Sequence, residues 1–271
     1  MNPITTLKEL KDIEIDVLKR FIKFCNDNDL KYFVVYGTLL GTIRHNGMIP
    51  WDDDIDVCMP RQDYQKFIEL TSKKSIDSFI KTDNPLNNNE SSSLIVRAYD
   101  DRTIITGSDF KIGVFVDIHP LDEFPENNII RKLWFLWIEI HKKGMILSKV
   151  KIKSASTFKF FLKMVFSPVI ITTKIIGFKY FKNMVVNSAQ YYSSNDTGSQ
   201  YFGVILADWP LGKLVLKKSY FNSGVLKNFE GIKVRVPVGY ENLLRLWYGD
   251  YMALPKEEDR KPKHEFVAFW C

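Results

Sequence analysis

Residues 36–64 read Tyr36-Gly37-Thr38-Leu39-Leu40-Gly41-Thr42-Ile43-Arg44-His45-Asn46-Gly47-Met48-Ile49-Pro50-Trp51-Asp52-Asp53-Asp54-Ile55-Asp56-Val57-Cys58-Met59-Pro60-Arg61-Gln62-Asp63-Tyr64. An apolar strand candidate, Tyr32 to Tyr36, runs into the small-residue turn Gly37-Thr38, and residues 38–44 restart as a short helix. Strand, turn and helix N-terminus form an anion cradle, because the first N–H groups of a helix lack intrahelical partners. The bland alternative is an ordinary strand–helix turn. Further on, Ile55, Val57 and Met59 alternate with Asp54, Asp56 and Cys58. That period of two predicts a strand with Asp54 and Asp56 on one face. Two such carboxylates suit a hard divalent cation. Asp52 is adjacent, and Asp53 is expected to point away.

A third acid completes such a site. Asp117 lies inside the apolar run Gly113 to Asp122, where an unpaired carboxylate is costly. Metal ligation offsets that cost, and so does an ion pair, for which Arg97 is the candidate. A calcium loop over Asp52, Asp54 and Asp56 is excluded, since Val57 stands where glycine is required and Asp63 where glutamate is expected. Arg44 is the nearest cation to the cradle and a candidate phosphate ligand; the alternative is a salt bridge to a surface acid. Trp51 either stacks on a nucleobase or fills the core.

Outward from this stretch, residues 6–28 read as an amphipathic helix with a possible capping box, Thr6 with Glu9, bracing the strands. Residues 61–70 predict another helix, residues 94–99 and 103–106 a hairpin around Asp100-Asp101, and residues 113–122 a strand closed by Pro120. Residues 129–147 and 158–192 predict helices rich in Phe, Trp, Ile and Lys, with a kink at Ser167-Pro168. Residues 201–207, 214–216 and 231–236 predict short strands, and residues 238–248 a helix. The expected organisation is a catalytic core over 1–125, a helical insertion over 126–195, and a C-terminal part over 196–271 that completes the core.

The chain has 271 residues, 45% of them hydrophobic, enough for a large packed domain. Its net charge is +6, with the excess gathered between Arg131 and Lys182. Cations there interleave with long apolar runs, without the glycine and aromatic signature of an RNA-binding strand, so nucleic acid is not the expected partner. Packing or contact of residues 129–182 with a bilayer surface fits that pattern better. Three cysteines without paired spacing predict no disulfide framework and a reducing cytoplasm. The polar start is not a signal peptide, and no uncharged run reaches the ~18 residues of a spanning helix.

The order Gly37-Thr38, then Asp54-x-Asp56 in a strand, then a lone strand Asp resembles the nucleotidyltransferase-fold superfamily. Gly37 to Arg44, Ile49 to Asp56, Asp63-Tyr64, Val116 to Ile118 with Pro120 to Asp122, and Tyr248 to Met252 with Pro255 together resemble the LicD family. The resemblance implies an α+β fold: a nucleotidyltransferase-like mixed β-sheet core flanked by helices, with a helical insertion. It implies a CDP-linked donor, usually CDP-choline, and a glycan hydroxyl as acceptor. It implies Mg²⁺ or Mn²⁺ at Asp54, Asp56 and Asp117, with Asp52 nearby; the cysteine usage and the basic helical region place the expected enzyme in the cytoplasm, at the inner face of the cell membrane. Gly37 and Thr38 amides then hold the diphosphate, with Arg44, Trp51, Arg97 and His264 as further donor-binding candidates. Asp52 or Asp117 would accept the proton, with His119 and His264 as further candidates. His119 departs from the aromatic or apolar residue expected there. CDP-glycerol or CDP-ribitol as donor, nucleotidyl transfer from a nucleoside triphosphate to a small molecule, and a membrane-surface protein with a dead site are the alternatives.

Overall fold

The computed structural model describes residues 2–84, 93–106, 112–150, 167–195, 197–207, 209–262 and 267–271. It is an α+β protein that divides into two compact units, Met1–Asp122 with Gln200–Cys271, and Glu123–Ser199. In chain order the first unit begins with β1 (Asn2–Ile4), α1 (Leu7–Asp27), β2 (Phe33–Val34), α2 (Tyr36–His45), β3 (Asp56–Pro60) and α3 (Arg61–Lys73). It continues with β4 (Ile80–Asp83), β5 (Val96–Asp100), β6 (Thr103–Thr106) and β7 (Phe115–Glu123). The second unit holds α4 (Asn128–Lys149), α5 (Ser167–Ile176) and α6 (Phe178–Ser194). The chain then returns through β8 (Tyr201–Gly203), α7 (Leu211–Leu214), β9 (Leu216–Lys217), β10 (Gly224–Phe229), β11 (Ile232–Pro237), α8 (Tyr240–Tyr248) and β12 (Val267–Trp270).

The main sheet runs β2-β3-β7-β5-β4, with β8 pairing β7 and β9. It is mixed: β3 and β7 are parallel, whereas β2–β3 and β5–β7 are antiparallel. Helix α1 forms because Leu10, Ile13, Val17 and Phe21 recur at helical spacing and all bury. The Thr6 hydroxyl caps it by accepting from the Glu9 N–H at 3.1 Å. Phe21 meets the edges of Tyr32 and Phe67, each at 5.5 Å between ring centres, which ties α1 to β2 and α3.

Three expectations about strands change. Residues 94–106 do not form a hairpin. The first strand pairs β4 and β7 in the main sheet, while β6 pairs β12 in a separate sheet ordered β1-β12-β6. The Asp100 carboxylate causes the turn: it accepts from the Arg102 backbone N–H at 3.0 Å and from the Arg102 guanidinium, and redirects the chain. The strand expected from Asp54 instead starts at Asp56, which leaves Asp54 in the preceding loop. The segment 214–216 ends a short helix before the two-residue β9.

The β10–β11 hairpin turns on Glu230 and Gly231, both at positive φ (47° and 78°), the two-residue geometry that follows strand twist. Glu230 is held there by two bonds to the loop before the acidic run. Its N–H donates to Asn46 O at 3.0 Å, and its carboxylate accepts from the Met48 N–H at 2.9 Å.

The second unit is helical. The Asn127 side chain caps α4 by accepting from Ile129 and Ile130. Helices α4 and α6 pack closely at Gly144, where any Cβ would overlap the Phe181 ring. The indole of Trp134 donates to Ser188 O at 3.0 Å. The kink expected at Ser167-Pro168 lies at the edge of the undescribed stretch 151–166, and the break between α5 and α6 falls at Gly177.

Behind β3 and β7, Arg61 makes a bidentate bond to Asp122 (2.6 and 2.5 Å), and both are buried. Burial disfavours the guanidinium charge, but the Asp122 carboxylate outweighs it and holds Arg61 more firmly protonated. Removing one partner strands the other in the interior. Asp122→Ala is therefore expected to lower stability by about 3–5 kcal/mol, read as a shift in the urea midpoint. A loss near zero would show that water replaces the pair.

Candidate active site

Helix α2 starts at Tyr36, which adopts φ = +48°, a strained backbone for a bulky residue. Its N-cap is Val35, whose side chain gives the helix end no hydrogen bond. The helix is fastened to β3 at one residue. The Val35 N–H donates to Asp56 O at 3.1 Å, and the Asp56 N–H donates to the Thr38 hydroxyl at 2.8 Å. The Thr38 side chain thus positions Asp56. Gly37 is required beside it, because a Cβ there would collide with the Asp52 carboxylate.

Asp56 and Asp117 are direct partners across parallel β3 and β7, and Arg97 is opposite Asp117 from β5. Oxygen atoms of Asp56 and Asp117 and a ring nitrogen of His119 lie within 4.8 Å of one another. His119 Nε2 stands 2.9 Å from Asp56 Oδ1. Arg97 Nε donates to Asp117 Oδ1 at 2.8 Å, with its guanidinium 4.2 Å from the Phe115 ring centre. The ion pair weighed from sequence for Asp117 is present, and the cluster gains His119.

Asp54 falls in a second group, with Asp52 and Asp53, whose carboxylates also lie within 4.8 Å of one another. Asp53 does not point away: it is buried, because the segment is a loop and strand alternation does not govern it. Glu14 of α1 belongs to the same neighbourhood and was missed. Burial chiefly, then Asp54 and Asp53, push its carboxyl well above the ordinary range, and its Oε2 is buried without a hydrogen-bond partner. The signal was present in the sequence, since Glu14 interrupts the apolar face Leu10, Ile13, Val17, Phe21.

Among the described residues Arg44 pairs with no acid. Its Nη1 donates to Tyr251 O (3.0 Å) and Ala253 O (3.1 Å), which ties α2 to the segment after α8. Burial lowers its pKa. A cleft of about 390 Å³ opens between these elements. Gly37, Leu40 and Arg44 line it from α2, Trp51 and Asp52 from the loop, and Tyr248, Asp250, Tyr251 and Pro255 from the C-terminal segment. Trp51 is half-buried, packed against the core on one side and lining this cleft on the other. His264 lies outside the described residues.

His119 titrates upward. Burial works against its charge, but the hydrogen bond to Asp56 and the Asp56 and Asp117 charges prevail. A raised folded pKa means the pair's stabilisation is complete below the unfolded value of about 6.5 and disappears as pH rises through the folded value. In chelator-treated protein, His119→Gln should remove that decline. Denaturant midpoints measured across this window would show parallel wild-type and variant curves if the pair contributed nothing.

The nucleotidyltransferase domain model described as LicD/FKTN/FKRP matches residues 29–169. Over 277 aligned residues, the chain is 32% identical to the lipopolysaccharide cholinephosphotransferase LicD of Haemophilus influenzae, covering 97% of this chain and 98% of that protein. A 43-residue stretch is 44% identical to an uncharacterized protein of Rickettsia typhi, covering 16% of this chain and 14% of that one. With Asp56 and Asp117 paired beside the α2 N-terminus and the full-length match to one relative, the chain belongs to the LicD family.

Proposed function

We propose that this chain transfers phosphocholine from CDP-choline to a hydroxyl of a cell-surface glycan, a lipooligosaccharide, teichoic acid or capsule precursor, and releases CMP. The observation that carries the reading is the Asp56–Asp117 pair beside the open end of α2, in a chain that matches a named cholinephosphotransferase along its length.

The residues fit a hard divalent cation, Mg²⁺ or Mn²⁺. Carboxylates of Asp56 from β3 and Asp117 from β7 and a ring nitrogen of His119 lie within 4.8 Å of one another, and a bound ion would compete with the Arg97 guanidinium for Asp117. Asp56 and Asp117 would hold it, with Asp54 from the loop. When bound, such an ion neutralises charge on the donor phosphates. The α2 amides at Gly37 and Thr38 hold diphosphate oxygens at the positive end of the helix. Asp52, against Gly37, takes the acceptor proton. The acceptor oxygen bonds to the phosphorus that carries choline, the bond to the bridging diphosphate oxygen breaks, and CMP departs with that oxygen.

Peripheral membrane contact at the cytoplasmic face belongs to this reading. Among the described residues no helix is long and apolar enough to cross a membrane. Residues 123–199 carry twelve Lys and Arg against four Asp and Glu, a net +8 where the whole chain has +6. Thirteen of the twenty strongly exposed large hydrophobic residues among those described lie there too. On α4, Ile129, Leu133, Leu136 and Ile140 repeat at helical spacing along one exposed face, with exposed Lys132 and Lys143 beside them. Apolar insertion plus attraction to anionic lipid is the physics of an interfacial helix.

Wild-type protein with Mg²⁺ should release CMP from CDP-choline, and Asp56→Asn or Asp117→Asn should lower that rate at least about a hundredfold. CMP from CDP-glycerol or CDP-ribitol alone would reassign the donor, and pyrophosphate from a nucleoside triphosphate would sink the reading. Vesicles rich in phosphatidylglycerol should pellet the protein, and the double variant Leu133→Glu, Ile140→Glu should stay in the supernatant. Equal pelleting of both would remove α4 as the contact.

A further inference from the structure

The cleft beside the acidic loop is lined by three aromatic residues, Trp51, Tyr248 and Tyr251, and by two carboxylates, Asp52 and Asp250. Arg44 is the one cation of that lining, and its guanidinium is directed to the carbonyls of Tyr251 and Ala253. Arg260, over the Trp51 ring, adds a second cation, so the two carboxylates are matched in formal charge. The lining is shaped by rings.

A trialkylammonium group has no N–H to donate and a positive charge spread over its methyl groups. It binds to the faces of Trp and Tyr with acids nearby. A polyol makes the opposite demand. Each hydroxyl needs a partner, and an aromatic wall leaves it unpaired at a cost. The indole of Trp51 already attracts a cation: the Arg260 guanidinium stands 5.5 Å from its ring centre, held by a 2.9 Å bond from Arg260 Nε to Pro255 O. The cleft's volume of about 390 Å³ falls in the range of small-ligand sites. At its inner end, Gly37 and Asp52 bring it to the α2 N-terminus, where the diphosphate would sit.

We infer that Trp51, Tyr248 and Tyr251, with Asp250, form an aromatic pocket for the quaternary ammonium group of the donor, and that this pocket selects choline over polyol phosphates. The inference rests on the phosphocholine reading and gives it a location. Trp51 then serves the ammonium group, not the nucleobase. Arg44 serves as a strut that holds the Tyr251 side of the pocket against α2.

The test compares two ligands that differ by the group in question. Titration calorimetry in Mg²⁺ measures binding of CDP-choline and of CMP to wild type, Trp51→Leu, Trp51→Phe and Tyr251→Leu. Both leucine variants should weaken CDP-choline about tenfold, leave CMP unchanged, and in the Trp51→Phe case recover most of the loss. Equal weakening of both ligands, or none for CDP-choline, would overturn the pocket. Tyr251 is half-buried on the C-terminal segment, so Tyr251→Leu keeps the test alive if Trp51→Leu fails to fold. The two readings fail separately. Wild-type CMP release from CDP-choline with no selective loss in the variants removes the pocket alone, whereas no release from CDP-choline removes the phosphocholine reading and the pocket with it.

Discussion

The candidate site depends on one strand register. Parallel pairing sets Asp56 opposite Asp117 and Val57 opposite Ile118. Val57 and Ile118 are fully buried, so a slip of one residue would turn core side chains out and the acids in. The same residue, Asp56, receives α2 through its carbonyl and its amide. Carboxylate pair and helix N-terminus are therefore fixed by one backbone position, and the apolar core that sets the register also sets the distance between cradle and acids.

That arrangement concentrates negative charge. Neighbouring strands lie about 4.8 Å apart, and two carboxylates at that separation repel. The protein answers with Arg97 on one acid and His119 on the other. A few residues away Asp52, Asp53 and Asp54 crowd together, and Glu14 beneath them is driven toward its neutral form. Buried acids in this number are expensive unless positive charge completes them.

What the sequence revealed follows from which constraint governed each segment. Val57, Ile118 and the helix α1 stripe announced themselves because burial imposes a period. Asp53 misled because a loop obeys no period, and it is buried beside Asp52 and Asp54. The β5–β6 hairpin misled for a related reason: two alternating runs around Asp100-Asp101 look local, yet their partners, β7 and β12, are remote in sequence. Strand β10 carried little signal, since Val225 and Leu226 are exposed and the strand is held by its turn. Arg44 could not be placed by type alone, because its acceptors are backbone carbonyls, which every residue has.

Net charge is the quantity that most needs dividing. At +6 the chain looks like a binder of polyanions. Yet residues 123–199 alone carry +8, which leaves the unit with the candidate site at −2. A basic helical unit with exposed apolar residues and a unit of slight negative charge present different surfaces. Averaging them into a single number hides both.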